Sequence, residues 1–203
     1  DIGGVLVDLH GGAPLLKLIP SAGNLEQLHK LWVNSPTVLA FETGRMSFKR
    51  FCASIVSELD MSTTPDVFAD TFRSFFGDVR SGASELLRSI RQDLRVGCLS
   101  NTNPEHTKIL RSRSELLKMF DPCLLSYEIG HMKPNKAAYC FVCEVTGLKP
   151  EEVLFLDDNE LNVAAARDAG MCSEVVCSVA EAKSILIANK ALQGTQTICA
   201  PEL

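Results

Sequence analysis

Four short polar clusters carry the residues of this 203-residue chain that could do chemistry. The chain opens on Asp1-Ile2-Gly3-Gly4. It places Ser100-Asn101 after the apolar run VGCL, Lys133 ahead of Pro134, and Asp157-Asp158 after VLFL. Two adjacent carboxylates at the end of an apolar run repel one another unless a cation neutralises them. Magnesium, a hard divalent cation, takes oxygen ligands, often one or two carboxylates together with an anionic group of the ligand. A helix N-cap with one solvated neighbour would also account for the doublet. Pro134 keeps Lys133 out of helical geometry, so its amine is presented from a loop ahead of a helix.

The elements that must position these groups alternate from residue 95 onward. RVGCLS (95–100), CLLS (123–126), VLFLDD (153–158) and EVVC (174–177) are expected strands. A turn from Asn101 to Pro104 leads into a helix expected to run to about Lys118, and further helices are expected from about Asn135 to Thr146, from about Glu160 to Ala169 and from about Val179 to Ala191. Gly147 and Gly170 fall where helix C-caps belong, and Asn159 falls where a helix begins. Short apolar runs alternating with helices imply a parallel sheet covered on both faces. In such sheets ligands bind beyond the carboxyl ends of strands, which is where the polar clusters lie.

Residues 13–80 read as successive helices without strands between them. Phe48, Phe51, Cys52, Ile55, Val56 and Leu59 form one helical face capped by Ser47. Pro65 after Thr64 opens a second helix through Phe75, and residues 23–33 and 82–92 supply two more. The expected organisation is therefore an α/β body of residues 1–12 and 81–203 with a helical insert of residues 13–80. Trp32 and Phe41 are expected to pack within the insert. Glu42 and Arg45 flank Gly44 in a turn that leads to the Ser47 cap. The stretch from Leu192 to Leu203 lacks periodicity and is expected to fray. The abrupt loop-like start at Asp1 leads us to expect a segment ahead of it.

Composition limits the partners. The chain is 46% hydrophobic and 22% charged, with 20 basic against 25 acidic residues and a net charge of −5. It has no block of Lys or Arg to attract nucleic acid or an anionic membrane. No apolar run approaches the roughly 20 residues that cross a bilayer. Of the eight cysteines, Cys52, Cys98 and Cys177 lie in apolar surroundings where free Cys packs as a small hydrophobe. Cys140 and Cys143 lie mid-helix with no second pair to complete a zinc site, and core packing is expected for them. A chain this long needs no disulfides, which suggests a reducing, cytoplasmic setting.

DIGGVLVD, CLSNTN, HMKPNKAAY and FLDDNELNVAAARDAGM resemble, in order, the four motifs of the haloacid dehalogenase-like hydrolases. The resemblance spans nearly the whole chain and includes a helical cap between the first and second motifs. It is nearest to the helical-cap branch of sugar-phosphate phosphatases that contains alpha-glucose-1-phosphate phosphatase and the phosphatase domain of soluble epoxide hydrolase. The resemblance implies a Rossmann-like parallel sheet core with the cap inserted after the first motif, and a strand ending just before Asp1. It also implies a magnesium-dependent phosphatase acting on a small phosphorylated metabolite, such as a sugar phosphate, through an aspartyl-phosphate.

On that resemblance, Asp1 is the nucleophile, and Asp1, Asp158 and the Gly3 carbonyl hold Mg2+. Asp157 acts from behind them or through water. Ser100 and the backbone N–H groups of Ile2, Gly3 and Asn101 contact phosphate oxygens. Lys133 neutralises Asp1 and the phosphoryl group, and Asn162, one turn after Asp158, orients Lys133 or the metal shell. His131 lines the Lys133 loop.

One departure stands out. Family phosphatases usually carry a second Asp two positions after the nucleophile as acid and base, and here that position is Gly3. Asp8 and His10 are the nearby candidates to stand in. Two other readings stay open: a non-catalytic phospho-ligand or protein-binding module on the same scaffold, and a 2-haloacid dehalogenase, which uses the same nucleophile without metal. Nothing in the sequence marks an oligomeric interface.

Overall fold

The opening residues fold into a tight turn. The Ile2 carbonyl accepts from Leu6 N and Val7 N at 2.8 and 3.0 Å, and Gly4 N donates to the Val7 carbonyl at 2.9 Å. The structure, a computed structural model, describes residues 1–10 and 12–193. The turn leads into β1 (Val7–Leu9) and then through α1 (Gly12–Leu18), α2 (Leu25–Val33), α3 (Pro36–Glu42), α4 (Phe48–Glu58) and α5 (Pro65–Arg73). The chain returns as β2 (Phe76–Val79), antiparallel to β1 with Val7 opposite Val79 and Leu9 opposite Phe76.

Local chemistry sets the ends of these helices. Asn24, Ser35, Ser47 and Thr64 each accept a hydrogen bond from the backbone N–H three residues on, and Pro36 and Pro65 occupy first-turn positions. Their apolar faces share a core of their own, built on Leu15, Ile19, Leu28, Phe41, Phe51 and Phe72. The Phe41 and Phe51 rings stack with centroids 4.1 Å apart, and Trp32 lies against Phe51 and Phe72. The pair β1–β2 corrects the expectation of a stretch without strands up to residue 80. Both strands are short, and the register shifts between Val7 and Leu9, so no clean alternation marks them in the sequence. Helix α5 accordingly stops at Arg73, before Phe75.

The α/β body follows. It comprises α6 (Ala83–Ser89), β3 (Cys98–Ser100), α7 (Pro104–Arg113), β4 (Cys123–Leu125), α8 (Ser126–Ile129), α9 (Lys136–Thr146), β5 (Leu154–Asp157), α10 (Glu160–Asp168), β6 (Cys172–Val175) and α11 (Val179–Ala188). β3 pairs parallel with β4, and β5 parallel with β6. Alternation along the strands serves two cores. Cys98, Leu125 and Leu156 face one apolar cluster, whereas Leu99, Leu124 and Phe155 face the other. Both faces are thus covered, as the unbroken apolar runs require. Between β3 and β5 lies a cavity of about 280 Å³ lined by Leu86, Leu99, Phe120, Phe155, Leu156 and Leu186, with Asp1 at its edge.

Several expectations are corrected. Helix α7 ends at Arg113 because Ser114 is extended, and a 3-10 turn at Leu116–Met119 then buries Leu116 and Leu117 in the body. The last strand is Cys172–Val175 rather than 174–177. Cys140 is exposed and Cys143 half-buried. Helix α9 buries Ala138 and Tyr139, and a rotation of about 100° per residue turns Cys140 away from them. Cys177 is exposed beyond the end of β6. The seven cysteines described are free, and Cys199 lies outside the described residues. Leu192 is buried and bridges to Ile90, and Gln193 N donates to the Ser89 carbonyl. The expected fraying therefore fails at these two positions, and residues 194–203 lie outside the described ones. No helix among the described residues is long and apolar enough to cross a membrane.

Candidate active site

The carboxyl ends of β3 and β5, the opening turn and the loop before α9 meet at one place. Strand β5 ends on Asp157, which is fully buried. Both its oxygens are engaged. Oδ1 accepts from Asn159 N and Asn162 Nδ2, each at 2.9 Å, and Oδ2 accepts from Lys133 Nζ at 2.6 Å. Lys133 Nζ also donates to Asp1 Oδ1 at 2.7 Å. Lys133 is 2% exposed, and a buried ammonium is tolerable because two carboxylates and the face of the Phe155 ring, 5.4 Å away, receive it. The Asp1 backbone nitrogen donates to the Leu156 carbonyl at 2.6 Å, aligning the opening residue with the end of β5.

The loop bearing Lys133 is itself held. Asn101 Nδ2 donates to the Lys133 carbonyl and Asn101 Oδ1 accepts from Lys133 N, both at 2.8 Å. Asn101 directly follows β3, so this pair locks the lysine's peptide to the end of that strand. Tyr139 on α9 donates its hydroxyl to the Asn162 carbonyl at 2.8 Å, tying the first turn of α10 to the same assembly.

Asp1, Asp157 and Asp158 each offer a carboxylate oxygen within 4.8 Å of the others. Three carboxylates against one ammonium leave two negative charges, and the donors are all hard oxygens. That set suits a divalent cation such as magnesium. Burial lowers the Lys133 ammonium below its ordinary value, and Asp157 opposes the shift. Burial acts to raise Asp157, but the adjacent Lys133 outweighs it and holds the carboxyl below its usual range. Asp158 is pushed up by burial and by the charge of Asp157. Repulsion between like charges on one side of the site is the strain a cation would relieve.

Most residues expected to act together do converge. Asp1, Asp157, Asp158 and Lys133 form the cluster, Asn101 holds it from β3, and Ser100 is buried at the end of that strand. Gly3 lies in the opening turn, bridged to Val7. Of the two partners expected for Asn162, the structure gives it the metal side, Asp157, rather than Lys133, because the side chain one turn into α10 reaches back to the end of β5. One expectation changes. Asp8 is drawn away from the cluster: its Oδ1 accepts from Arg80 Nε at 2.7 Å. His10 lies in the β1–β2 region, its backbone N–H donating to the Phe75 carbonyl at 2.8 Å, and it is not part of the Asp1, Asp157 and Asp158 cluster. The His131 ring lies against Phe141.

Sequence reasoning missed three residues: the Asn101 side chain, Tyr139 and Arg80. The Arg80 Nη1 donates to the carbonyls of Gly4 and Cys177, each at 2.5 Å. It thereby pins the opening turn to the segment after β6. These partners lie far apart along the chain, so no local spacing announces them.

Known proteins resemble this chain in sequence and in fold. D-ribitol-5-phosphate phosphatase of Bacteroides thetaiotaomicron is 26% identical over 181 residues, covering 84% of this chain and 86% of that protein. A haloacid dehalogenase family enzyme from the same organism, solved with magnesium and inorganic phosphate, superposes with a TM-score of 0.68 at 25% identity, covering 86% of this chain and 90% of that one. A hydrolase of the same kind from Porphyromonas gingivalis gives a TM-score of 0.68 at 28% identity, covering 86% and 87%. The haloacid dehalogenase-like hydrolase family model matches residues 1–170. On that match, which takes in the whole carboxylate and lysine cluster, the chain belongs to the haloacid dehalogenase-like hydrolases.

Proposed function

We propose that this chain is a magnesium-dependent phosphatase that hydrolyses a small phosphorylated metabolite of the sugar or polyol phosphate class through an aspartyl-phosphate on Asp1. The observation that carries the reading is the Lys133 ammonium bridging Asp1 and Asp157, with the Asp158 carboxylate in the same cluster. The relative named as a ribitol-5-phosphate phosphatase and the family enzyme solved with magnesium and phosphate support it.

Each residue has a task in this reading. Asp1 attacks phosphorus with a carboxylate oxygen. Lys133 donates to Asp1 and offsets the repulsion between that carboxylate and the phosphate dianion. Asp1, Asp158 and the Gly3 carbonyl would hold magnesium, which supplies shielding of the negative charge gathered at the transferring group. Asp157, with both oxygens already accepting hydrogen bonds, acts by placing Lys133 and, through water, by completing the metal surroundings. Ser100 and the N–H groups of Ile2, Gly3 and Asn101 receive phosphate oxygens. Residues 13–80 cover the site as a cap and choose the substrate. Displacement of halide from carbon needs no cation, and the carboxylate cluster would then lack a purpose.

Hydrolysis of p-nitrophenyl phosphate, with magnesium, with EDTA and in Asp1→Asn, tests the reading. Turnover that EDTA abolishes and magnesium restores, and a loss of at least about 10⁴-fold in Asp1→Asn, is the expected result. Metal-independent turnover, or an active Asp1→Asn variant, overturns it.

A further inference from the structure

Arg80 follows β2 and reaches back toward the opening turn. Its backbone N–H donates to the Leu6 carbonyl at 2.8 Å, one step beyond the pairing of Val79 with Val7. Its half-buried guanidinium divides its donors among three segments that are far apart along the chain. Nε donates to Asp8 Oδ1 on β1 at 2.7 Å. Nη1 donates to the Gly4 carbonyl in the opening turn and to the Cys177 carbonyl beyond β6, each at 2.5 Å. The planar fork fixes these directions relative to one another, so Asp8 on one arm orients the other.

Both carbonyls lead directly to groups of the site. Gly4 follows Gly3, whose carbonyl is a metal ligand in the reading above. A Cβ on Gly4 would collide with the Asp158 carboxylate, so this part of the turn lies directly against it. On the other side, Cys177 follows Val176, whose N–H donates to the Asp157 carbonyl at 3.0 Å. Cys177 N donates to Glu181 Oε2 at 2.7 Å, which secures the same segment to the first turn of α11. The bond from Asp1 N to the Leu156 carbonyl fixes the start of the opening turn against β5. The Arg80 bonds fix its far end.

We propose that Arg80 is a positioning residue for the metal site. Its guanidinium sets the separation between the Gly3 carbonyl and the Asp157-Asp158 pair, so that ligands from both segments reach one magnesium ion. The inference rests on the magnesium-dependent reading above and adds a residue that acts through the turn. Charge alone gives the opposite expectation. A guanidinium near the carboxylates repels a divalent cation, so deleting it would tighten magnesium binding on electrostatic grounds. Loss of the bridge frees the turn from the acidic pair and weakens binding. The sign of the change therefore separates the two effects.

The test is magnesium binding to wild type, Arg80→Ala and Arg80→Lys, followed by titration calorimetry. The dissociation constant should rise about 10- to 10²-fold in Arg80→Ala, the range for groups that support metal ligands. Arg80→Lys keeps the charge without the fork and should recover only part of the affinity. On p-nitrophenyl phosphate, the magnesium concentration giving half-maximal rate should rise in parallel, and excess magnesium should restore part of the lost rate. Arg111→Ala removes an equal charge from an exposed pair with Glu128 and should bind magnesium as the wild type does. Unchanged or tighter binding in Arg80→Ala, or equal weakening in Arg111→Ala, overturns the proposal. So does a lower melting temperature with affinity unchanged, which would leave Arg80 a structural tie. Should Arg80→Ala fail to fold, wild-type affinity in Arg80→Lys overturns it, and if neither variant folds Arg80 is again a structural tie and the proposal falls. Failure of the phosphatase reading looks different, namely a wild type that hydrolyses no phosphate ester whatever its magnesium affinity.

Discussion

At Gly4, backbone geometry and site chemistry make the same demand. Its φ is +74°, and a Cβ built there would collide with the Asp158 carboxylate. Any side chain must both enter a disfavoured backbone region and displace a proposed metal ligand. Gly4→Ala should therefore weaken magnesium binding and lower kcat/KM by about 10²-fold, the scale of a misplacement of about 1 Å. A magnesium titration of activity checks this, with thermal melting to show that the variant folds. Gly3 is a different case. The Cβ of a residue there would meet only the flexible end of the Leu9 side chain, so sterics do not dictate glycine at that position. The missing carboxyl is then a matter of chemistry rather than of space.

Among the elements, the loop before α9 and the turn after β3 act as one unit through Asn101. Replacing it by Ala leaves the Lys133 N–H and carbonyl without their partners in a partly buried place. The expected cost is about 1–3 kcal/mol in denaturant unfolding. Because Lys133 bridges Asp1 and Asp157, its displacement should lower kcat more than it raises KM, by roughly 10- to 10²-fold. A stability loss with kcat unchanged would reduce Asn101 to a structural tie. Helix α5 is joined to α7 in a similar way. Arg73 Nε donates to Glu105 Oε2 at 2.8 Å, and the His106 ring stacks on Phe72 with its Nε2 2.9 Å from the Phe72 carbonyl. Burial holds His106 below its ordinary pKa and so favours the neutral ring. These contacts set how the insert stands over the body.

At the scale of the molecule, the helical insert owns an apolar core distinct from the two that line the parallel strands. Separate cores allow separate opening. Phe51 is fully buried in the insert and stacked on Phe41, and Phe51→Ala should cost about 3–5 kcal/mol. Hydrogen exchange should then report loss of protection across α3 to α5, with α9 and α10 little changed. Uniform loss throughout would make the two regions one cooperative unit. An insert that opens on its own would let substrate in and product out.

Local patterns in the sequence mark the polar groups gathered at the strand ends. Apolar runs that stop at Asp157-Asp158 and at Ser100-Asn101, a lysine held out of helix by Pro134, and the glycine-rich start at Asp1 are local patterns, and locality is what a sequence displays. The same holds for the alternation that gave a sheet covered on both faces and for the Ser, Thr, Asn and Pro that open the helices. Pairings across the chain were decided only by the tertiary structure. It gave Asp8 to Arg80 and Asn162 to Asp157, turned Cys140 outward, and joined β1 to β2. A side chain's partner and its exposure to water depend on segments tens of residues away.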